Sequence, residues 1–189
     1  MLPFYNSPRF DPLFLSSKEA EEKITHKIAP FSFRDQNNKT INISSLSKKI
    51  HVANFMFTQC GSICPIMTSH LKMIEEAYGE NPNLSILSFS VTPWIDSVSR
   101  LKSYADQYDI KMKQWHFLTG ETASVYALAR GSYFAEEELG FTKDSSDFLH
   151  TEHVLLVDKQ LRLRGIYNGT LQLEIEQLRA DIQSLLLQD

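Results

Sequence analysis

From Ile50 to Phe57 the chain is almost unbroken in apolar and aromatic residues. A strand that is apolar at successive positions, rather than at alternate ones, has to be covered on both faces, as in a parallel sheet sandwiched between helices. Directly after it runs Thr58-Gln59-Cys60-Gly61-Ser62-Ile63-Cys64-Pro65, which holds the only two cysteines in 189 residues. In open α/β sheets ligands gather beyond the carboxyl ends of the strands, so these thiols stand where such a fold keeps its functional groups.

The rest of the chain completes that pattern. Leu84 to Val91 and Trp115 to Leu118 read as further strands, and Val154 to Val157 and Leu161 to Tyr167 as two late strands joined by a tight turn. Between them, Met67, Leu71, Ile74 and Tyr78 form one helical stripe and Val98, Leu101, Ala105 and Tyr108 another, with a third helix from about Thr122 to Arg130. Leu171, Ile175, Leu178, Ile182 and Leu185 mark a closing helix for which Thr170 is the expected N-cap. Phe31-Ser32-Phe33 and Thr40 to Ile43 alternate across the turn-rich Asp35 to Asn38 and predict an N-terminal β-hairpin. The fold class is therefore α/β, a sandwich with a mixed central sheet flanked by helices. Residues 1–29, with Pro3, Pro8 and Pro12, read as an extended arm with at most a short helix from Ser17 to Ile24, and residues 30–189 as one domain. Thr142 to Asp147 is polar and reads as a loop.

The formal charge of −4 and a pI near 5.9 supply no basic face, which excludes nucleic acid as a partner. No apolar run approaches the roughly 18 residues of a membrane span. The opening Met1-Leu2-Pro3-Phe4-Tyr5 lacks the pattern of a secretory signal and reads as the stub that follows an anchor.

Pro65 is tolerated in the first turn of a helix, where its missing N–H is not needed. Both sulfurs then lie near a helix N-terminus, where free N–H groups and the dipole favour an anion and lower a thiol's pKa. Core cysteines would have no reason to flank a Gly-Ser loop before a proline. Residues four apart on a helical turn have Cβ atoms about 5–6 Å apart, close enough for either a disulfide or a shared metal ion. Two cysteines cannot close a four-ligand zinc site, but thiolates select Cu(I), and one imidazole completes a three-ligand site. Of His26, His51, His70, His116, His150 and His153, two lie inside strands (His51, His116) and His70 lies two turns into a helix. His150 and His153 close the polar loop before the Val154 strand, from which a side chain can reach a neighbouring strand end.

These residues resemble the Sco/SenC family, thioredoxin-fold proteins that deliver copper to the binuclear copper site of cytochrome c oxidase. The resemblance runs from Pro30 to the final helix. It is carried by Asn54 to Thr58, Cys60-x-x-x-Cys64-Pro65, Ser90-Val91-Thr92-Pro93 with Asp96, Trp115 before Leu118-Thr119-Gly120, His150-Thr151-Glu152 leading into Val154 to Asp158, and Arg164 to Tyr167.

The resemblance implies a thioredoxin-like domain that binds one copper ion through Cys60, Cys64 and His150. His153 would be a structural neighbour, and Met56 and Met67 would be core. The implied partners are the copper-bearing subunit of cytochrome c oxidase and a thiol reductant or another copper chaperone. The implied location is extracytoplasmic, on the periplasmic face of an inner membrane and held by an N-terminal anchor. Two departures stand out: Gly61 where the family often has proline, and Thr92 where it often has aspartate. Asp96 is expected to cap the helix that follows it. The rival function is a thiol-disulfide oxidoreductase acting through the Cys60–Cys64 dithiol. Thioredoxin-like reductases, however, carry two residues between their cysteines and a cis-proline in the facing loop, and no proline occurs between Gly140 and Val157. A peroxidase would need a threonine or arginine beside Cys60 that the sequence does not reveal.

Overall fold

The protein is described by a computed structural model over residues 1–135, 149 and 151–188. Its centre is β3 (Ile50–Met56), buried at every position and paired along both edges. On one side β3 runs parallel to β4 (Leu84–Ser90), and β4 runs parallel to β5 (Trp115–Thr119). The hairpin of β1 (Ser32–Asp35) and β2 (Thr40–Asn42) joins antiparallel at β5. On the other side β6 (His153–Val157) pairs antiparallel with β3, and β7 (Leu163–Asn168) with β6. The sheet order is β2-β1-β5-β4-β3-β6-β7, the mixed sheet expected from the sequence.

The two-residue period of β3 divides the core. Ile50, Val52 and Met56 face a layer made by α2 (Ile63–Tyr78), α3 (Val98–Gln107) and α5 (Gln172–Leu186). Ala53 and Phe55 face α4 (Thr122–Gly131) and the aromatic cluster of Phe33, Phe89 and Tyr133. The sulfurs of Met56 and Met67 are fully buried in the first layer, as expected of core residues. Because β6 is antiparallel to β3, with Asn54 opposite Val154, the start of β6 lies at the same end of the sheet as the thiol loop.

Before the hairpin, α1 (Ser17–Lys23) opens with a capping box between Ser16 and Glu19. The preceding segment is laid against β7, where the Tyr5 N–H donates to the Leu163 carbonyl. Arg164 holds it there: its guanidinium stacks 3.8 Å from the Phe4 ring and donates to the carbonyls of Leu2 and Pro3.

Two local expectations are corrected. Thr170 does not cap α5; its N–H and hydroxyl both bond Asn168 Oδ1, and Leu171 takes the cap position. The last strand begins at Leu163, not Leu161. Asp158 Oδ1 accepts the N–H groups of Gln160 and Arg162, forming a turn in which Leu161 has φ 65°.

Candidate metal centre

After Met56 the backbone leaves β3 and turns at Phe57, whose carbonyl accepts the Cys60 N–H. α2 begins at Ile63, with Pro65 at its third position, where the proline breaks no helical hydrogen bond. Ser62 occupies the N-cap position, but its side chain makes no cap bond. Cys60 supplies that acceptor: its Sγ receives the Cys64 N–H at 3.4 Å, and Ser62 Oγ lies 3.8 Å from the same sulfur. Both cysteines are free and buried, Cys60 at the rim with 9% of its surface exposed and Cys64 at 2%. A Cβ at Gly61 would meet nothing within 4 Å, so the space around this position does not require glycine.

The two thiols are electrostatically unequal. Burial pushes Cys60 up, but hydrogen bonds from the Cys64 thiol and N–H and from the Ser62 N–H and hydroxyl outweigh it. They hold Cys60 below the ordinary cysteine range. Cys64 is pushed up to about 12, by burial first and by its donation to Cys60, with the charges of Cys60 and Asp96 adding to this and a backbone bond at Phe57 opposing it. Cys60 is therefore the more acidic thiol of the pair and Cys64 the less acidic one.

Of the candidate imidazoles, His150 lies outside the described residues, as does the Thr142 to Asp147 loop. His153 opens β6 on the same face as Leu155 and Val157, the face away from α2. Its Nδ1 is 3.2 Å from the Ala135 carbonyl and its ring meets Phe10 edge-on. The structure does not bring it to the thiols. His26 bonds Ser132, His51 bonds Tyr133, His70 bonds the Gly169 carbonyl, and His116 bonds Asp35. Among the described residues no three of His, Cys, Asp and Glu are grouped to hold a metal ion.

Asp96 was expected to cap α3, and it does not. Ser97 is the cap, accepting the Arg100 N–H. Asp96 is instead fully buried and turned toward the thiol loop. It accepts the Thr58 N–H and hydroxyl, the Ser90 hydroxyl and the Thr92 hydroxyl, at 2.5–3.2 Å. Arg100 Nε donates to Thr58 Oγ1 at 2.7 Å and lies 3.7 Å from the Asp96 carboxylate. An arginine and a threonine thus do meet beside the cysteine loop, from positions 42 apart in the chain. The legible signal was Ser90-x-Thr92 and Asp96 following a buried strand, three side chains that need one another once the strand end is covered.

The model of the SCO1/SenC family matches residues 19–187. This chain belongs to the SCO1/SenC family. Among its relatives is the SCO1 protein homolog of Bacillus subtilis, 29% identical over 169 residues that span 88% of this chain and 86% of that one. Of solved Sco structures, BsSco superposes with a TM-score of 0.71 at 29% identity, covering 85% of this chain and 93% of its own. It is described as having a disulfide switch and as a member of the Sco family of cytochrome c oxidase assembly proteins. ScoI of Bradyrhizobium japonicum, solved with copper bound, superposes with a TM-score of 0.66 at 24% identity, over 85% and 99% of the two chains, which bears on the fold. The fold is accordingly the thioredoxin-like one of Sco proteins. The Thr92 hydroxyl, just before Pro93, donates to Asp96 four residues further on.

Proposed function

We propose that this chain is a copper carrier that binds one ion through Cys60, Cys64 and His150 and passes it to the copper-bearing subunit of a cytochrome c oxidase. The observation that carries the reading is the dithiol at the start of α2, where Cys60 Sγ takes the place of a side-chain cap. Two sulfurs at one helix N-terminus, Cys60 just ahead of α2 and Cys64 in its first turn, suit a soft ion of low coordination number such as Cu(I). A helix N-terminus also favours the anionic form that a ligand must adopt. Binding requires both thiols to lose their protons, so loading releases protons and weakens in acid. Oxidation to the Cys60–Cys64 disulfide removes both ligands at once, which makes the redox state of the pair the gate on loading. The copper-bound and disulfide-switching Sco proteins among its structural relatives support this reading.

His150 enters as the third ligand through the family motif Cys60-x-x-x-Cys64-Pro65 with His150-Thr151-Glu152. The proposed location is extracytoplasmic, on a membrane reached through an N-terminal anchor. Among the described residues no helix is long and apolar enough to cross a membrane. The test is copper stoichiometry of the reduced and oxidised protein, read together with the thiolate-to-copper absorption band. One ion per reduced chain and none per oxidised chain is expected, with Cys60→Ala, Cys64→Ala and His150→Ala each falling below one. Unchanged loading in His150→Ala would reassign the third ligand.

The inequality of the two thiols favours one second reading. A rim thiol of lowered pKa backed by a buried thiol of raised pKa is also the arrangement of a thiol-disulfide oxidoreductase. A mixed disulfide with the client trapped in Cys64→Ser, in a protein that takes up no copper when reduced, would select it.

A further inference from the structure

Asp96 is an expensive residue to bury. A carboxylate with none of its surface exposed loses its hydration, a heavy cost unless hydrogen bonds to its oxygens offset it. Here that demand is met by donors from two loops: Thr58 gives its N–H and hydroxyl from the thiol loop, and Ser90 and Thr92 give hydroxyls from the end of β4. The helix cap that would have explained an aspartate here is supplied by Ser97.

The bonds converge two residues before Cys60. Thr58 lies inside the turn closed by the Cys60 N–H on the Phe57 carbonyl, and that turn aims Cys60 Sγ at the Cys64 N–H. Arg100 closes the group from outside, donating to the hydroxyl that Thr58 gives to Asp96.

We propose that Asp96 is a positioning residue for the dithiol: through Thr58, with Arg100 as its outer brace, it fixes the turn that sets where Cys60 Sγ sits relative to Cys64. This rests on the dithiol being the copper site, but it makes a separate claim about the pair itself. With the clamp cut, the turn relaxes, the two sulfurs lose their set separation, and both the disulfide and the shared metal ion become harder to form.

The test uses the full chain with Asp96→Asn, Thr58→Val and Thr58→Ser. Asp158→Asn serves as control, since Asp158 is a buried carboxylate after β6, at the opposite end of that strand from the thiol loop, bound by Arg162 and Arg164. Two constants are read. The first is the dithiol-disulfide equilibrium in a dithiothreitol buffer. There Cys60 and Cys64 give two electrons and two protons to oxidised dithiothreitol, forming one S–S bond as the reagent's own is reduced to two thiols. The second is the Cu(I) dissociation constant, by competition with bicinchoninate.

Asp96→Asn and Thr58→Val are expected to move both constants by about tenfold or more, the scale on which groups supporting a metal ligand act. Thr58→Ser keeps the hydroxyl and is expected to stay within about twofold of the parent. Asp158→Asn is expected to lower the thermal midpoint and leave both constants in place. Constants unmoved in Asp96→Asn and Thr58→Val, or moved equally by Asp158→Asn, overturn the proposal. If Asp96→Asn does not fold, the Val and Ser variants at Thr58 decide it. A parent protein that takes up no copper while its disulfide equilibrium still responds to Thr58→Val sinks the copper reading and leaves the clamp standing.

Discussion

Cys60 Sγ accepts the backbone N–H of Cys64 at 3.4 Å, so the first thiol caps the helix that carries the second. Helix dipole and hydrogen bonds therefore act on one sulfur, while burial acts most strongly on the other. Alkylation of the reduced protein should follow this order. With limiting iodoacetamide near pH 7.5, Cys60 is expected to be labelled at least about tenfold faster than Cys64, because only the thiolate attacks. Peptide mass spectrometry gives the ratio directly. Equal labelling would show that the pair shares its proton evenly and that Cys60 is not the cap.

His153 and His150 stand three residues apart, yet their substitution should have opposite outcomes. His153 is on the sheet face away from α2 and gives its Nδ1 to the Ala135 carbonyl. His153→Ala is therefore expected to keep one copper per reduced chain while losing about 1 kcal/mol of stability with that hydrogen bond. Copper titration and thermal melting of the same sample separate the two effects. A loss of copper in His153→Ala with full loading in His150→Ala would exchange their roles.

The centre of the sheet was legible in the sequence because β3 is apolar at nearly successive positions, which only a covered strand satisfies, the hairpin because its residues alternate, and the helices because Met67, Leu71 and Ile74 repeat with helical period. The thiol pair was legible because Cys60 and Cys64 are neighbours along the chain. What could not be read was anything made by residues that meet only after folding. Arg100 reaching Thr58, and Asp96 turned away from its own helix toward the thiol loop, depend on β3 and β4 ending side by side. Arg164 lying on Phe4 spans nearly the whole chain. Local cap rules failed at the two positions for different reasons: Asp96 is taken by Thr58, which folding brings from another strand end, whereas Thr170 is taken by Asn168, two residues before it.

His51 gives the protein an acid-sensitive point. It is wholly buried, bonded through Nε2 to the Tyr133 hydroxyl, and its Nδ1 has no hydrogen-bond partner among the described residues. Burial lowers its pKa to about 3. The folded value lies below the unfolded one of roughly 6.5, so the unfolded chain binds the proton first. His51 therefore favours the folded state fully above about pH 6.5, and this contribution is lost as the pH falls from there toward 3, by on the order of 4 kcal/mol in all. Urea unfolding at pH 7, 5.5 and 4.5 should show this slope. In His51→Gln, which keeps a hydrogen-bonding side chain but cannot titrate, the slope should be shallower. An unchanged slope in that variant would place the acid sensitivity elsewhere.

Gly165 lies in β7 beneath Tyr167, two residues on along the same face, and a Cβ built on it would overlap the tyrosine ring. The ring has little freedom to yield. Tyr167 is largely buried against the α5 layer, and its hydroxyl donates to Asp181 Oδ2 at 2.7 Å on that helix. Gly165→Ala is thus expected to push the ring outward, break the bond to Asp181 and destabilise the fold by about 1–3 kcal/mol, the range for overpacking a filled site. The double variant Gly165→Ala with Tyr167→Leu removes the clash but also the hydroxyl. If the ring is the obstacle, the alanine should then cost much less than it does beside the tyrosine. Thermal melts of the four proteins in this cycle give the coupling, and purely additive effects would show that the overlap is relieved by the backbone instead.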